Sequence, residues 1–329
     1  MHEVCGVERK RLAWVDTAKG IGIFLVVWGH FYASEPIKII IYGFHMPLFF
    51  FLSGYVFRLK EGSMWLMIKK KSRQLILPFF VFQMATFLIL FLLPIKSSLS
   101  VEEFLYFNGE VGFNSPLWFL VVLFEVEIVF FAFQKYMMNQ KVYIFFLLLS
   151  LVIISSFYQG IHRPFGIHVV PIGILFYWLG HVVRRQSWLE KGRIISCTSF
   201  LIAILLYLTT IFYGNEKQLV GLRSMNIGSF FPFLLASVAG IFLICIIAIR
   251  LQPITGLNNF GRNSLFILGT HYFFLIIYSN LIQIVTGEPA HSSYPVYLSL
   301  GLTIITFVTY TSIFKITQKL GVAHYFFIK

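Results

Sequence analysis

Long apolar runs separated by short polar connections dominate this chain. Ten of the runs are long enough for helices, near 12–33, 40–58, 74–95, 117–134, 142–158, 167–183, 194–212, 229–249, 264–285 and 295–314. A helix needs about 20 apolar residues to cross the hydrocarbon core, with roughly 17 as the lower limit. The fifth and sixth runs sit near that limit. The pattern predicts an all-α, polytopic membrane protein of about ten transmembrane helices, forming a single integral-membrane domain over residues 1–329. The connections are too short for a soluble domain, and no inverted repeat of the transporter kind is visible.

Composition supports this reading: 58% of the residues are hydrophobic, 12% are charged and 39 are Phe. A soluble domain of this length needs far more surface charge. The formal charge of +13 raises the question of nucleic acid, and its distribution answers it. With the N-terminus in the cytoplasm, twenty Lys and Arg fall in inner segments. Five fall outside (Lys38, Lys96, Arg163, Lys217, Arg223), and Lys19 lies within a helix. That asymmetry is the positive-inside signal, and it puts both termini in the cytoplasm. The basicity is topological, and nucleic acid drops out as a partner. The N-terminal tail runs into the first helix with no cleavage site behind it, so no removable signal peptide is expected. Cys5, Cys197 and Cys245 have neither metal nor disulfide spacing, and no metal site is expected.

Within this apolar background a few polar residues stand out, because ionisable groups inside membrane helices mark wet interiors and function. The first helix, "DTAKGIGIFLVVWGHF" at 16–31, carries Asp16, Lys19 and His30. Lys19 and His30 are eleven residues apart, which brings them within about 20° of one face and separates them by roughly 16 Å. Asp16 is close enough to pair with Lys19. Gly20, Gly22 and Gly29 permit close packing. On the blander reading, Asp16 and Lys19 snorkel to the inner surface.

The stretch "YGFHMPLFFFLSGYVF" at 42–57 places His45 at nearly the depth of His30, so two imidazoles can converge on one pocket. Pro47 removes a backbone donor and frees a carbonyl. Ser53 and Gly54 lie one to two turns further in, where Pro47 and Gly54 also fit plain helix packing. In "IKKKSRQLILP" at 68–78, Lys70 and Arg73 share a side at i, i+3 and could cradle a phosphate, although a cation row at a membrane face is ordinarily a topology signal. In "NSPLWFLVVLFEVEIVF" at 114–130, Trp118 suits an interface anchor. Glu125 and Glu127 point to different faces, and one of them should have a cationic or imidazole partner. In "NNFGRNSLFILGTHYFF" at 258–274, Asn263 or Ser264 can cap a helix. His271 follows inside that helix, either functional or satisfied by a core hydroxyl.

Taken together, Asp16-x2-Lys19-Gly20 with His30, "FHMPLFFFLSGY" at 44–55, the basic stretch before Pro78, "PLWFL" at 116–120 and "GRNSLFILGTH" at 261–271 resemble the acyltransferase 3 family of bacterial membrane enzymes. The resemblance is particularly to the short members related to fucose 4-O-acetylases, and it covers nearly the whole chain. It implies a ten-helix enzyme of the bacterial inner (cytoplasmic) membrane, in contact with membrane lipids. Such an enzyme takes an acetyl group from acetyl-CoA, a co-substrate, and holds no permanent cofactor. The acceptor is a sugar hydroxyl of a cell-surface glycan or its lipid-linked precursor. Lys19 and Lys70 stand where many relatives have arginine, keeping the charge without the bidentate fork. The extracytoplasmic hydrolase-like domain of some relatives has no counterpart here.

In that chemistry Lys70, Arg73 and Lys19 would hold the CoA phosphates at the cytoplasmic mouth. His30 would take the proton of the attacking hydroxyl, oriented by His45 or a buried Glu. Ser53, Lys19 or a freed backbone amide would serve the oxyanion, with Trp118, Glu125 and His271 as further substrate or oxyanion candidates. Asp16 would stand among the catalytic residues beside His30, His45 and Lys19. Two rivals use the same residues: a transporter or flippase of a lipid-linked sugar or small metabolite, and a non-catalytic assembly or sensor subunit.

Overall fold

A computed structural model of the protein describes residues 12–59, 62–92, 100–136, 163–189, 196–214, 219–252 and 254–320. Helix α1 (Ala13–His30) is followed by α2 (Glu35–Tyr42) and α3 (His45–Tyr55). Next, α4 (Met64–Lys71) runs through a π-helical turn, Ser72–Ile76, into α5 (Leu77–Leu92). After the short α6 (Val101–Phe104) come α7 (Trp118–Tyr136), α8 (Val170–Arg185), α9 (Cys197–Thr209) and α10 (Phe230–Leu251). The chain continues with α11 (Thr255–Arg262), α12 (Ser264–Thr286) and α13 (Val296–Lys319). Among the described residues there is no sheet, only an isolated bridge between Gly221 and Asn226. The protein is all-α and polytopic.

Among the described residues, seven helical segments are long and apolar enough to cross a membrane: Glu35–Tyr55, Met64–Leu92, Ser115–Tyr136, Pro164–Arg185, Phe230–Leu251, Ser264–Thr286 and Val296–Lys319. The count is therefore seven rather than the ten expected from the apolar runs, and the three differences have separate reasons. The run at 142–158 lies outside the described residues. The run at 194–212 forms a shorter apolar helix, Thr198–Tyr213. The run at 12–33 forms the 18-residue α1, whose first turns contain Asp16 and Lys19.

The expected second helix, 40–58, begins earlier and is broken at Gly43–Phe44. Pro47 explains the break. In a continuous helix its nitrogen would donate to the Gly43 carbonyl, which it cannot do, and its ring would clash there. At the third position of a new helix the missing donor costs nothing, because the first four amides have no partner anyway. Carbonyls around the break accept from side chains, and Ile41 O accepts from the Phe44 backbone amide as well. Ile40 O accepts from the Tyr207 hydroxyl, Ile41 O from His45 Nδ1 at 3.0 Å, and Gly43 O from Ser237 Oγ at 2.7 Å. The carbonyl freed by Pro47 is thus used to tie α3 to α10.

Two helix crossings organise the interior. In one, α3 packs on α8 through Gly54 and Gly180: a Cβ on Gly54 would collide with the Tyr177 carbonyl, and one on Gly180 with the Phe51 carbonyl. In the other, α1 packs on α11 through Gly20 and Gly261, which meet the carbonyls of Leu257 and Asp16 in the same reciprocal way. Small residues allow such backbone approach where water supplies no hydrophobic drive. The surrounding core is rich in buried aromatics, with Phe50, Phe130, Phe176 and Tyr177 all nearly inaccessible.

This packing makes opposite predictions for two glycines. Gly180→Ala should destabilise the detergent-purified protein by about 1–3 kcal/mol, since a backbone has to move. Gly301→Ala, in α13 with nothing within 4 Å of the new Cβ, should stabilise it by about 0.5–1 kcal/mol. Thermal unfolding of both variants checks the contrast.

Candidate functional site

Three histidines share one local arrangement. His30 is the last residue of α1, and its Nδ1 lies 2.8 Å from the carbonyl of Val26, one turn earlier. His45 opens α3 and reaches back across the break to Ile41 O at 3.0 Å. His271, in α12, bonds through Nδ1 to the carbonyls of Ile267 and Leu268 at 3.0 and 2.9 Å. A carbonyl can only accept, so in each ring Nδ1 carries the proton. The neutral tautomer therefore leaves Nε2 with its lone pair, the form a general base requires.

The rings lie close together. His30 is half-buried, with its ring centroid 5.3 Å from that of the fully buried His271 and 5.4 Å from Tyr272. Tyr42 sits against both His30 and His45, at 6.0 and 4.8 Å, and donates from its hydroxyl to Gly29 O at 3.2 Å. Gly29 leaves the space that the Tyr42 ring fills. His271 has no hydroxyl partner among the described residues; its Nε2 is buried without a hydrogen bond. His30 is fixed in its tautomer by the backbone of its own helix, through Val26 O.

A cavity of about 190 Å³ opens beside these rings, lined among others by His30, Tyr42, His45, Ser115, Trp118 and Arg223. Trp118, expected as an interface anchor, is buried and forms part of this wall. Sequence reasoning missed Tyr42, Ser115 and Arg223 as site residues. Arg223 did carry a signal: it is one of five cations assigned to the outer side, where topology gives no reason for one. It forms an ion pair with Glu110 through Nη1, and its carbonyl accepts from His168 Nε2 at 2.7 Å.

The other end of the helices carries the charged residues. Asp16 is buried and paired with Arg262 of α11, Oδ2 to Nε at 3.2 Å. Beside this pair, Thr17 Oγ1 lies 2.6 Å from Asn258 Oδ1, so the close α1–α11 seam is polar as well as tight. Lys19 is half-buried. Because α1 is unbroken, Lys19 and His30 are about 16 Å apart along its axis, and Lys19 does not line the cavity. Ser53 is half-buried on α3, eight residues or about 12 Å beyond His45, and is also away from the cavity wall.

Lys70 and Arg73 are both exposed. The π-helical turn Ser72–Ile76 begins between them. Lys71, between the two, turns inward and pairs with buried Glu127 at 2.6 Å. Glu127 is thus the glutamate with the cationic partner. Glu125, two residues earlier on α7, keeps one buried carboxylate oxygen without a hydrogen bond among the described residues. The same residues contain no group of His, Cys, Asp and Glu arranged to hold a metal.

Comparison with known proteins adds one finding. A family model described as an acyltransferase domain matches residues 12–314, almost the full described length. No curated protein and no solved structure matches the chain.

The ion pair makes its own prediction. Lys71→Ala leaves the Glu127 carboxylate buried without its counter-charge, a change that costs about 3–5 kcal/mol in a buried pair and less here, since Lys71 retains 21% exposure. Lys69→Ala, two residues away and exposed, should stay within about 0.5 kcal/mol of the parent. Parallel denaturation of the two variants decides whether the basic row is uniform or contains one structural lysine.

Proposed function

The chain belongs to the acyltransferase 3 family of membrane O-acyltransferases, and we propose that within it the protein moves an acetyl group from acetyl-CoA to a sugar hydroxyl. The acceptor on this reading belongs to a cell-surface polysaccharide or its lipid-linked precursor. One observation carries the reading. His30 stands in the cavity wall with its proton committed to a backbone carbonyl, leaving Nε2 as a base. The acceptor hydroxyl gives its proton to that nitrogen as its oxygen attacks the thioester carbonyl. A carbon–oxygen bond forms, the carbon–sulfur bond breaks, and the imidazolium returns the proton to the departing thiolate. His45, with the same tautomer and the same cavity, is the second candidate base.

The donor would enter from the opposite end. Lys70 and Arg73 are exposed cations flanking the start of the π-helical turn, while Lys71 between them pairs with Glu127. Lys19 is the third candidate for the same role. The basic residues concentrate on that side of the chain, which supports cytoplasmic N- and C-termini in a bacterial inner membrane. Asp16 fits a supporting role, since its bond to Arg262 holds the inner end of α1 against α11.

Replacement of the base tests the proposal. His30→Ala should lower acetyl transfer by about 10²–10⁴-fold with normal protein level and melting temperature, read by mass spectrometry of surface glycans and by release of free CoA from purified protein. Unchanged acetylation in this variant would sink the catalytic assignment. No turnover of any CoA thioester by the parent, together with substrate flux in vesicles, would move the assignment to a transporter.

A further inference from the structure

When a hydroxyl attacks a thioester, the carbonyl oxygen takes up negative charge, and a water-poor site must meet that charge with preorganised hydrogen-bond donors. Ser53 and Lys19, two donors expected from the sequence, do not line the cavity. The wall itself offers few side-chain donors, and most are already engaged. His30 and His45 commit Nδ1 to Val26 O and Ile41 O, and Tyr42 donates to Gly29 O. Ser224 Oγ donates to Gly221 O at 3.2 Å, and Ser115 bonds with the Tyr272 hydroxyl.

Two wall residues keep donors. A guanidinium has five N–H groups, and among the described residues only the Nη1 of Arg223 finds an acceptor, Glu110. The backbone around Arg223 is held as well: its carbonyl accepts from His168 at 2.7 Å, and Gly221 and Asn226 exchange bonds at 2.7 and 3.0 Å. Its charge acts on Tyr272, whose ring centroid lies 5.4 Å from that of His30. The second residue is Trp118, whose indole nitrogen can only donate. It is 7% exposed in the same wall, and its N–H has no acceptor among the described residues. Val26, Met46, Pro116 and Leu268 make much of the remaining wall apolar, where a donor is worth more than in water.

We propose that the Arg223 guanidinium and the Trp118 indole N–H form the oxyanion site of the transfer step. This rests on the acyl-transfer reading above and adds to it the groups that meet the thioester oxygen. As the acceptor oxygen bonds to the carbonyl carbon, its proton passes to His30 Nε2 and the carbonyl π pair moves onto oxygen. Arg223 and Trp118 donate to that oxygen. The pair then re-forms the carbonyl, the carbon–sulfur bond breaks, and the thiolate takes the proton back from the imidazolium. Neither donor changes its protonation state. Glu110 serves as an anchor that occupies Nη1 and leaves the other N–H groups for the reacting oxygen.

The test uses the full chain in nanodiscs with acetyl-CoA and a panel of methyl hexosides. Trp118→Phe keeps an aromatic ring and removes the N–H, while Arg223→Lys keeps the charge and loses the planar fork. Trp118→Phe and Arg223→Ala should each lower kcat by about 10²–10³-fold with both KM values unchanged, and Arg223→Lys by less. A dithioester analogue of acetyl-CoA, with sulfur in place of the carbonyl oxygen, gives a readout that a merely structural role would not move. Sulfur is a weak acceptor, so the parent should prefer the oxygen compound and each variant should lose part of that preference. If Arg223→Ala does not fold, Trp118→Phe and Arg223→Lys decide. Parental kcat in the folded variants, or a raised acceptor KM at unchanged kcat, overturns the oxyanion site. The acyl-transfer reading survives either result as long as His30→Ala still loses transfer. A parent that binds acetyl-CoA yet passes its acetyl group to neither hexoside nor water overturns both.

Discussion

Pro47 cannot donate a hydrogen bond to Gly43, and the end of the molecule that holds the cavity is arranged around that missing bond. In lipid a stranded backbone carbonyl has no water to turn to, so each must be satisfied from within the protein. Three carbonyls around the break accept from three different side chains, and Ile41 O accepts from the Phe44 amide as well. Ser237 brings α10 to the break, Tyr207 brings α9, and His45 folds back on its own segment. The same bond that satisfies Ile41 O also sets the tautomer of His45. Backbone accounting and candidate chemistry are therefore one constraint at this position. A helix without the proline would satisfy Gly43 O from its own backbone and release Ser237.

Charge is handled by a different rule at each end. Where full charges enter the helices, they come as pairs across a close seam: Asp16 with Arg262, and Glu127 with Lys71. A buried pair is not in itself a source of stability, since desolvation offsets much of the attraction, but breaking one is costly. Such pairs therefore fix register and orientation. At the cavity end the ionisable groups are imidazoles bonded to carbonyls, which need no counter-ion when neutral. Arg223 is the exception there, and it carries its own carboxylate, Glu110.

Much of this was legible in the chain. Apolar runs gave the all-α, membrane-spanning class, and the His30 and His45 positions pointed to one end of two successive helices, where the cavity lies. The failures share a cause: sequence spacing assumes regular helices. The break at Gly43–Phe44 divided one helix, and a π-helical turn interrupted the α-helix after Lys71. Neither irregularity shows as an interruption of hydrophobicity. Partners distant in sequence were equally hidden. That Glu127 finds Lys71, or Asp16 finds Arg262 two hundred and forty-six residues away, depends on tertiary contacts. Arg223 escaped because it lies in a connection, where a single cation between apolar helices looks like solvent-facing filler. Its scarcity on that side was the readable clue.

The geometry also fixes how the two ends of α1 are spaced. An unbroken α1 holds Lys19 and His30 about 16 Å apart, and its glycines let α11 and Tyr42 pack directly against it. Neither end can move along the axis without disturbing the other. On the acyl-transfer reading, the donor's phosphates and its thioester must be bound at once, at sites whose separation matches the extended arm between them. A rigid helix serves that need better than a hinge, because any slack would let the thioester drift from the base. The irregular backbone is placed elsewhere, at the α2–α3 break and in the loop holding Arg223. Those elements border the cavity while the spacing along α1 stays fixed.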